Sequence, residues 1–268
     1  MELRPYQVEA VESVFREWEQ GRKRTLLVQA TGTGKTICFA EVVRRVASRG
    51  GRSLILAHRG ELLEQAATKI EQTANLKCAL EKAENTSLNS WTSVTVGSVQ
   101  TLMRESRLSQ FRPDAFDCIV VDEAHHTLAE GYTRILDHFE SANVLGVTAT
   151  ADRADRKDLG EVYDSIAYEY DMAHAINDGY LCPIEAEMVP LQVDLSSVSV
   201  THGDYQAGQL GDALEPYLDA IADAMVARCQ DRRTVVFLPL IRTAKKFTEK
   251  LIERGLTACE VDGQSEDR

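Results

Sequence analysis

The chain has 268 residues, of which 44% are hydrophobic and 27% are charged, the composition of an ordinary globular protein. Its 30 basic and 42 acidic residues give a formal net charge of −12, which argues against a protein that coats nucleic acid with a basic surface. The 6 cysteines are scattered without a C-x-x-C pair, so we predict neither a disulfide framework nor a zinc site. Without a signal peptide or an apolar run of about 18 residues, we expect a cytoplasmic protein that has no membrane partner.

Short apolar runs alternate with stretches of helical periodicity through the first 150 residues. An opening helix has Pro5 at its start, and a second helix follows the first apolar run. This alternation is typical of a parallel sheet that is covered by helices on both faces, so we predict an α/β, doubly wound domain. The predicted strands are 25–30, 53–57, 94–98, 117–121 and 144–148.

The sequence changes character after about residue 170. A polar stretch without a strong period is followed by two further units of helix and strand, which indicate the start of a second α/β domain. The predicted division is domain 1 at 1–170, a connector at 171–212 and a partial domain 2 at 213–268. The elements predicted in domain 2 are helices near 213–230 and 242–254 and strands at 234–238 and 257–261.

A glycine-rich segment follows the first predicted strand and opens a helix. Its residues are Thr31, Gly32, Thr33, Gly34, Lys35 and Thr36. In this context the backbone N–H groups can hold phosphate oxygens, the lysine charge can reach the β- and γ-phosphates, and the threonine hydroxyl at 36 can ligate Mg²⁺. The first glycine of the full phosphate-binding motif is replaced by Gln29. The alternative interpretation is a glycine-rich turn beside a surface lysine.

Two adjacent carboxylates, Asp122 and Glu123, come directly after a buried strand, where open α/β sheets place their ligands. We predict that Asp122 holds Mg²⁺ through water and that Glu123 orients and deprotonates the attacking water. A solvated acidic turn that caps the next helix is the alternative. His125 and His126 follow, but they lack the His-Glu-x-x-His spacing of a zinc site.

The sequence Asp-Glu-Ala-His at 122–125, together with the phosphate-binding loop, resembles the DEAH-type superfamily 2 helicases and translocases. The segments 179–183 and 235–237 resemble the branch that contains RadD-like proteins and the motor subunits of type I and type III restriction enzymes. Other segments resemble motifs of the superfamily in the same order, at 3–7, 57–65, 96–102 and 147–150.

The resemblance implies two RecA-like lobes, with ATP and Mg²⁺ in the cleft between them and nucleic acid crossing both. It gives catalytic roles to Lys35, Asp122 and Glu123. Adenine recognition falls to Gln7, with Arg4 as a weaker candidate. A polar residue at a helix start is the alternative for Gln7.

The remaining carried-over residues concern nucleic acid. The resemblance implies phosphate contacts at strand ends and hydrogen bonds that couple the nucleotide to the nucleic-acid groove. Local backbone hydrogen bonds or a salt bridge at a helix start are the alternatives. The implied contact residues are Arg59, Ser98 and Gln100, and the implied coupling residues are His125, Thr148 and Thr150.

The sequence also departs from the family pattern. Ala151 replaces the usual proline, and the chain ends before motifs V and VI, so we expect the isolated chain to be a weakly active fragment.

DNA is favoured over RNA as the partner, with a nuclease or methyltransferase subunit or domain beside it. A basic helix at 242–254 either contacts nucleic acid or is the solvated face of an amphipathic helix. A nucleotide-dependent binding switch without turnover is the alternative function, and a metabolic P-loop kinase is disfavoured.

Overall fold

The computed structural model describes residues 2–57, 60–149, 159–190, 193–201, 204–229, 232–263 and 265. The chain divides into two compact units, Met1–Pro183 and Ile184–Arg268. No helix in the described ranges is both long and apolar enough to span a bilayer.

The first unit is built on a sheet of seven strands in the order β3-β4-β2-β5-β6-β1-β7. Every neighbouring pair is parallel, so the carboxyl ends of all the strands lie at one edge. Open α/β sheets bind their ligands at this edge. The strands are β1 (Arg24–Gln29), β2 (Ser53–Ala57), β3 (Cys78–Glu81), β4 (Val94–Ser98), β5 (Cys118–Asp122), β6 (Asn143–Thr148) and β7 (Ser165–Tyr170).

Helices connect these strands. In the opening helix, Pro5 occupies the first position, where a missing N–H costs nothing, and the buried face repeats every three to four residues. The helices are α1 (Pro5–Glu19), α2 (Lys35–Ser48), α3 (Gly60–Ala74), α4 (Val99–Leu102), α5 (Glu105–Leu108), α6 (Glu130–His138) and α7 (Met172–Asn177), with a 3₁₀ helix at Ala124–Leu128.

A hydrophobic core lies on each face of the sheet. Successive residues of a strand face opposite sides, so Leu27 of β1 packs into one core, and Leu26 and Val28 pack into the other. The central strands β2, β4 and β5 are buried almost throughout, as expected when helices cover both faces. The site is therefore carried by a rigid, fully packed sheet.

The five predicted strands of the first unit are present within one residue of their predicted ends, but β3 and β7 were not predicted. Both are edge strands of mixed polarity, and most of their residues are only half-buried. In β3 the buried residue is Glu81, whose Oε1 lies 3.2 Å from Nη1 of Arg107 and whose Oε2 accepts the Ser87 N–H at 2.6 Å. Because a charged residue occupies the core position, the sequence of β3 contains no apolar run that would predict a strand.

The second unit contains α8 (Ala207–Leu214), a 3₁₀ turn (Glu215–Tyr217), α9 (Leu218–Cys229) and α10 (Ile241–Glu253). Two short strands, Val200–Thr201 and Asp204–Tyr205, pair antiparallel. A small core unites α9 and α10 through Leu218, Ala222, Phe247 and Leu251.

The strands predicted at 234–238 and 257–261 are wrong, because the structure assigns no strand to either segment. The side chains of Val235 and Phe237 are 78% and 92% exposed. A strand is stabilised by cross-strand partners, and the described part of this unit offers these segments none. Apolar composition alone therefore misled the prediction.

Basic side chains of α10 and of Arg254, directly after it, form ion pairs with Asp and Glu side chains. Lys250 Nζ lies 2.6 Å from Asp219 Oδ2, and Arg254 Nε lies 2.6 Å from Asp223 Oδ1. Because the partners lie on the preceding helical segments, these charges serve the packing of the second unit, which supports the amphipathic-helix interpretation. Two further pairs join Arg242 to Asp212 and Lys246 to Glu215.

Gly146 in β6 lies against a buried aromatic ring. A Cβ atom at this position would lie 2.5 Å from Cζ and Oη of Tyr163, which is 5% exposed. Overpacking of this kind costs about 1–3 kcal/mol, so we expect Gly146→Ala to lower the free energy of unfolding by that amount. Both tryptophans, Trp18 and Trp91, lie in the first unit, and denaturant unfolding followed by their fluorescence measures the effect.

Gly131→Ala is the matched control. It lies in α6, and the nearest atom to an added Cβ is Sδ of the flexible Met103 side chain at 3.3 Å, followed by Met103 Cβ and Val99 Cγ1, both at 3.4 Å. Alanine in a helix gains up to about 1 kcal/mol over glycine, so this variant is expected to be at least as stable as the parent. Equal stability of the two variants would contradict the overpacking at Gly146.

Candidate functional site

The glycine-rich loop joins the carboxyl end of β1 to the start of α2, as predicted. Gly32 and Gly34 have φ values of +88° and +86°, in the left-handed region that glycine adopts without strain. Gly34 also has no room for a side chain, because a Cβ atom there would lie 2.7 Å from Nε2 of Gln7. The loop therefore needs glycine at 34 for both conformation and space.

Some polar side chains of the loop are engaged with its own backbone, and others are accessible to a ligand. Lys35 Nζ donates to the carbonyl oxygen of Gln29 at 3.2 Å, which folds the lysine back over the loop. The Thr33 hydroxyl donates to Ala30 O at 2.7 Å and is buried, so it stabilises the turn. Thr31 is exposed and Thr36 is half-buried at the first turn of α2.

Gln7 and Tyr6 of α1 hold the loop from one side. Gln7 Nε2 and Tyr6 Oη both donate to the carbonyl oxygen of Thr33, at 3.1 and 2.6 Å. Gln7 Oε1 accepts the N–H of Arg4 at 3.0 Å, and Gln7 is only 3% exposed. The amide predicted to read adenine is thus engaged with the loop backbone, and this anchoring role was not predicted.

Tyr6 belongs to an aromatic cluster beside the loop. Its ring stacks on that of Tyr170, with centroids 4.3 Å apart, and meets that of Tyr180 edge-on at 4.8 Å. Arg4 Nη1 donates to Tyr6 Oη at 3.2 Å. The sequence offered one signal for the cluster, because Tyr6 and Tyr180 both fall within motifs matched to the family, but β7, which carries Tyr170, was missed.

Asp122 and Glu123 lie at the end of β5, two strands from β1 across β6. Burial, reinforced by the neighbouring Glu123 charge, raises the pKa of Asp122, while Lys35 opposes this shift. Asp122 Oδ1 accepts the N–H of Glu123 at 3.1 Å. The loop and the acidic pair therefore lie close enough to interact electrostatically, as the motifs predicted.

Glu123 has φ +55° and ψ +59°, a left-handed conformation that costs a residue other than glycine about 1–2 kcal/mol. Its Oε2 lies 3.5 Å from His125 Nδ1. The following 3₁₀ helix is fixed by Thr127, whose hydroxyl donates to Ala124 O at 2.6 Å and lies 2.9 Å from Tyr163 Oη. This anchoring keeps Glu123 half-exposed at the edge of the sheet, and neither Thr127 nor Tyr163 was predicted.

The residues expected to contact nucleic acid, or to couple it to the nucleotide, are spread along the same edge. Ser98 ends β4 and donates from Oγ to Gln100 Oε1 at 2.8 Å. Ser98 is buried, whereas Gln100 is exposed. Thr148 is fully buried at the end of β6, beside Val28 of β1. Arg59, Thr150 and Ala151 lie outside the described residues.

No group of three or more His, Cys, Asp or Glu side chains that could hold a metal ion occurs within the described ranges. Thr36 and Asp122 offer the hydroxyl and carboxylate oxygens that Mg²⁺ prefers.

Comparison with known proteins agrees with this geometry. The family described as "Type III restriction enzyme, res subunit" matches residues 1–153. The chain belongs to this family. A Saccharomyces cerevisiae relative named as the ATP-dependent helicase IRC3 is 35% identical over 226 residues, which are 79% of this chain and 32% of that protein. A Schizosaccharomyces pombe relative named as a mitochondrial ATP-dependent helicase is 33% identical over 278 aligned positions, which are 100% of this chain and 46% of that protein.

A solved fragment of an HsdR subunit of a type I restriction enzyme from Vibrio vulnificus has a similar fold. Its TM-score is 0.69 at 24% identity, and the match covers 94% of this chain and 45% of that chain. The RecA-like fold class and the resemblance to ATP-dependent helicases and translocases are thus confirmed. The chain spans between about a third and a half of the length of the two yeast relatives.

The raised pKa of Asp122 has a consequence for stability. An ionised carboxylate in a half-buried position disfavours the folded state, and this penalty disappears when acid protonates Asp122 in both states, below its ordinary pKa of 3.8. Without Mg²⁺, we expect Asp122→Asn to raise the unfolding midpoint at pH 7 by about 1–4 °C, and the gain to shrink as the pH falls towards 4. Tryptophan fluorescence during heating measures it.

Asp114→Asn is the control for this measurement. The exposed Asp114 accepts hydrogen bonds from Arg112, which lower its pKa, so the amide is expected to bring no gain at pH 7. A similar gain from both variants would show that loss of any negative charge stabilises this acidic chain, and would remove the argument from burial.

Proposed function

We propose that this chain is the ATP-binding part of a motor that couples ATP hydrolysis to movement on DNA. The observation that carries the proposal is the juxtaposition of a glycine loop bearing Lys35 with Asp122 and Glu123 at one edge of a parallel sheet. Membership of a family with ATP-dependent helicases supports it. Because the curated relatives are longer, motor activity is proposed for the whole protein.

Each residue has a chemical task in this proposal. The loop N–H groups and the start of the 14-residue α2 bind the phosphates, and Lys35 supplies positive charge to them. Glu123, half-exposed and held out by its backbone conformation, accepts the proton of the attacking water. We propose that Gln7 contacts the adenine, with Arg4 as a weaker candidate.

The donor set of this edge fits Mg²⁺ on a nucleotide. We propose that Thr36 ligates the ion directly and that Asp122 holds it through water, since the two residues begin α2 and end β5. When bound, the ion would neutralise phosphate charge. It would also offset the Asp122 charge that burial disfavours.

DNA is the proposed track. Relatives named as type I restriction endonuclease subunits are 30% and 32% identical, and a structure of the same fold is described as bound to DNA. We propose that Arg59, Ser98 and Gln100 contact its phosphates, that His125, Thr148 and Thr150 link the two sites, and that a nuclease or methyltransferase acts beside the motor. One relative is named as mitochondrial, and the cytoplasmic location stays a prediction.

A second lobe completes the proposal. We propose that 213–268 is the first part of a second RecA-like lobe and that 171–212 is a connector, so that the boundary between the two compact units, at Pro183 and Ile184, falls within the connector. The match of 94% of the chain to a structure of this fold supports this assignment.

Nucleotide binding tests the phosphate loop. We expect Lys35→Ala to weaken ATP binding at least about 100-fold, since a charge-assisted contact to phosphate is lost, whereas Glu123→Gln keeps the affinity because Glu123 acts on water. Calorimetric titration with a non-hydrolysable ATP analogue and Mg²⁺ measures both.

Lys23→Ala is the matched control, because Lys23 is an exposed lysine before the opposite end of β1. It is expected to bind as the parent does. Unchanged affinity in the Lys35 variant would refute the phosphate loop. If Glu123→Gln binds normally and also hydrolyses ATP at the parental rate, Glu123 is not the base. If the parent binds ATP and does not hydrolyse it, the switch without turnover becomes the better interpretation.

Binding to nucleic acid tests the track. Phosphate contacts position a protein without reading sequence, so we expect Arg59→Ala to weaken binding to unrelated DNA duplexes by a common factor and to reduce the salt slope by about 1. Fluorescence anisotropy with duplex DNA, single-stranded DNA and RNA at several salt concentrations measures it.

Arg112→Ala serves as the control, since the Arg112 side chain is 82% exposed and pairs only locally with Asp114. Its effect should be small on every probe. Tighter binding to RNA than to DNA would reverse the proposed track. A strong preference for one DNA sequence that survives high salt would contradict backbone recognition.

A further inference from the structure

The segment Gly179–Pro183 leads out of the first unit, and the function proposed above gives it no task. Its start is fixed by the end of α7, because Gly179 has φ +76° and the N–H groups of Tyr180 and Leu181 both donate to Ala175 O, at 2.9 and 3.0 Å. Ala175 is fully buried. The side chains of residues 180 and 181 are therefore presented in a defined direction.

Leu181 is directed at the glycine loop. A Cβ atom on Gly32 would lie 3.1 Å from Leu181 Cδ2, so this side chain lies directly against the loop backbone. Gly32 is itself exposed and left-handed, with φ +88°. An apolar side chain packed on a flexible glycine restricts the conformations that this part of the loop can adopt.

Tyr180 reaches the same loop through Tyr6. The Tyr180 ring meets the Tyr6 ring edge-on at 4.8 Å, and Tyr6 Oη donates to Thr33 O at 2.6 Å. The guanidinium carbon of Arg4 lies 5.0 Å from the Tyr180 ring centroid, so a cation already occupies this aromatic surface. This arrangement favours a supporting role for Tyr180 over stacking on a base.

We infer that Tyr180 and Leu181 are positioning residues that hold the phosphate-binding loop in its binding conformation, and that nucleotide binding in turn stabilises the segment Gly179–Pro183. The second half follows from the first, because coupling between a ligand and a structural element is reciprocal. The inference rests on the nucleotide binding proposed above. It gives the chain that leaves the first unit a direct contact with the phosphate site.

Two ligands separate loop support from base stacking. We expect Leu181→Ala and Tyr180→Ala to weaken ADP and inorganic tripolyphosphate by the same factor, about 5- to 20-fold, because both ligands need the loop. Tyr180→Phe is expected to bind as the parent, since the ring is retained. Calorimetric titrations with Mg²⁺ give the affinities, and Ile184→Ala, which truncates a 68% exposed side chain three residues later, is the control.

The outcomes are distinct. Loss of ADP affinity with unchanged tripolyphosphate affinity would show that Tyr180 stacks on the base, and unchanged affinity for both would show no role; either result overturns the inference. If the parent chain binds neither ligand, the proposed nucleotide site itself is wrong, and the inference fails with it.

Hydrogen exchange of the parent chain provides a test that does not depend on the stability of any variant. We expect saturating ADP and Mg²⁺ to slow exchange of the amides of Tyr180 and Leu181 by about 5-fold or more, because their hydrogen bonds to Ala175 O open less often when the loop is held. The same ligand should leave these amides unchanged in Lys35→Ala. Exchange at these two amides that does not respond to ADP in the parent chain would overturn the inference.

Discussion

The seven strands of the first unit all run parallel, and this constraint decides where every candidate residue lies. Parallel strands end at one edge, so Gln29, Ser98, Asp122 and Thr148 arrive there although they are far apart in sequence. The order β5-β6-β1 sets β6 between the loop and the acidic pair. A parallel sheet needs helices on both faces, and the two cores that result keep this edge rigid.

Much of the first unit could be predicted from sequence because its information is local. A buried strand is an apolar run of five or six residues, and the loop and acidic pair each occupy consecutive positions after such a run. The edge strands β3 and β7 were not predicted. In β3 the buried residue is Glu81, which pairs with Arg107, and β7 is half-exposed, so both strands depend on contacts distant in sequence. In the second unit the same apolar signal at 234–238 predicted a strand where the structure assigns none.

The candidate site divides in the same way. The residues that we propose to carry the chemistry stand in short motifs, so the positions of Lys35 and Glu123 at the edge of the sheet could be predicted. Residues that hold them come from elsewhere in the chain: Tyr163 reaches Thr127 across 36 residues, and Tyr6 reaches Thr33 across 27. Gln7 belongs to both classes, because its motif was visible but its hydrogen bond to the loop was not.

The acidic pair shows why such support is needed. Glu123 adopts a left-handed conformation, and Asp122 carries a charge that burial disfavours, so the two residues weaken the fold that presents them. The Glu123 conformation cannot relax while the next residues stay fixed by Thr127 and Tyr163. The ring of Tyr163 in turn fills the space above Gly146 in β6, the strand between β5 and β1. The packing of the sheet itself thus holds both carboxylates in place. A cation brought to this edge would bind more strongly, because it would offset the Asp122 charge that burial disfavours in the folded chain.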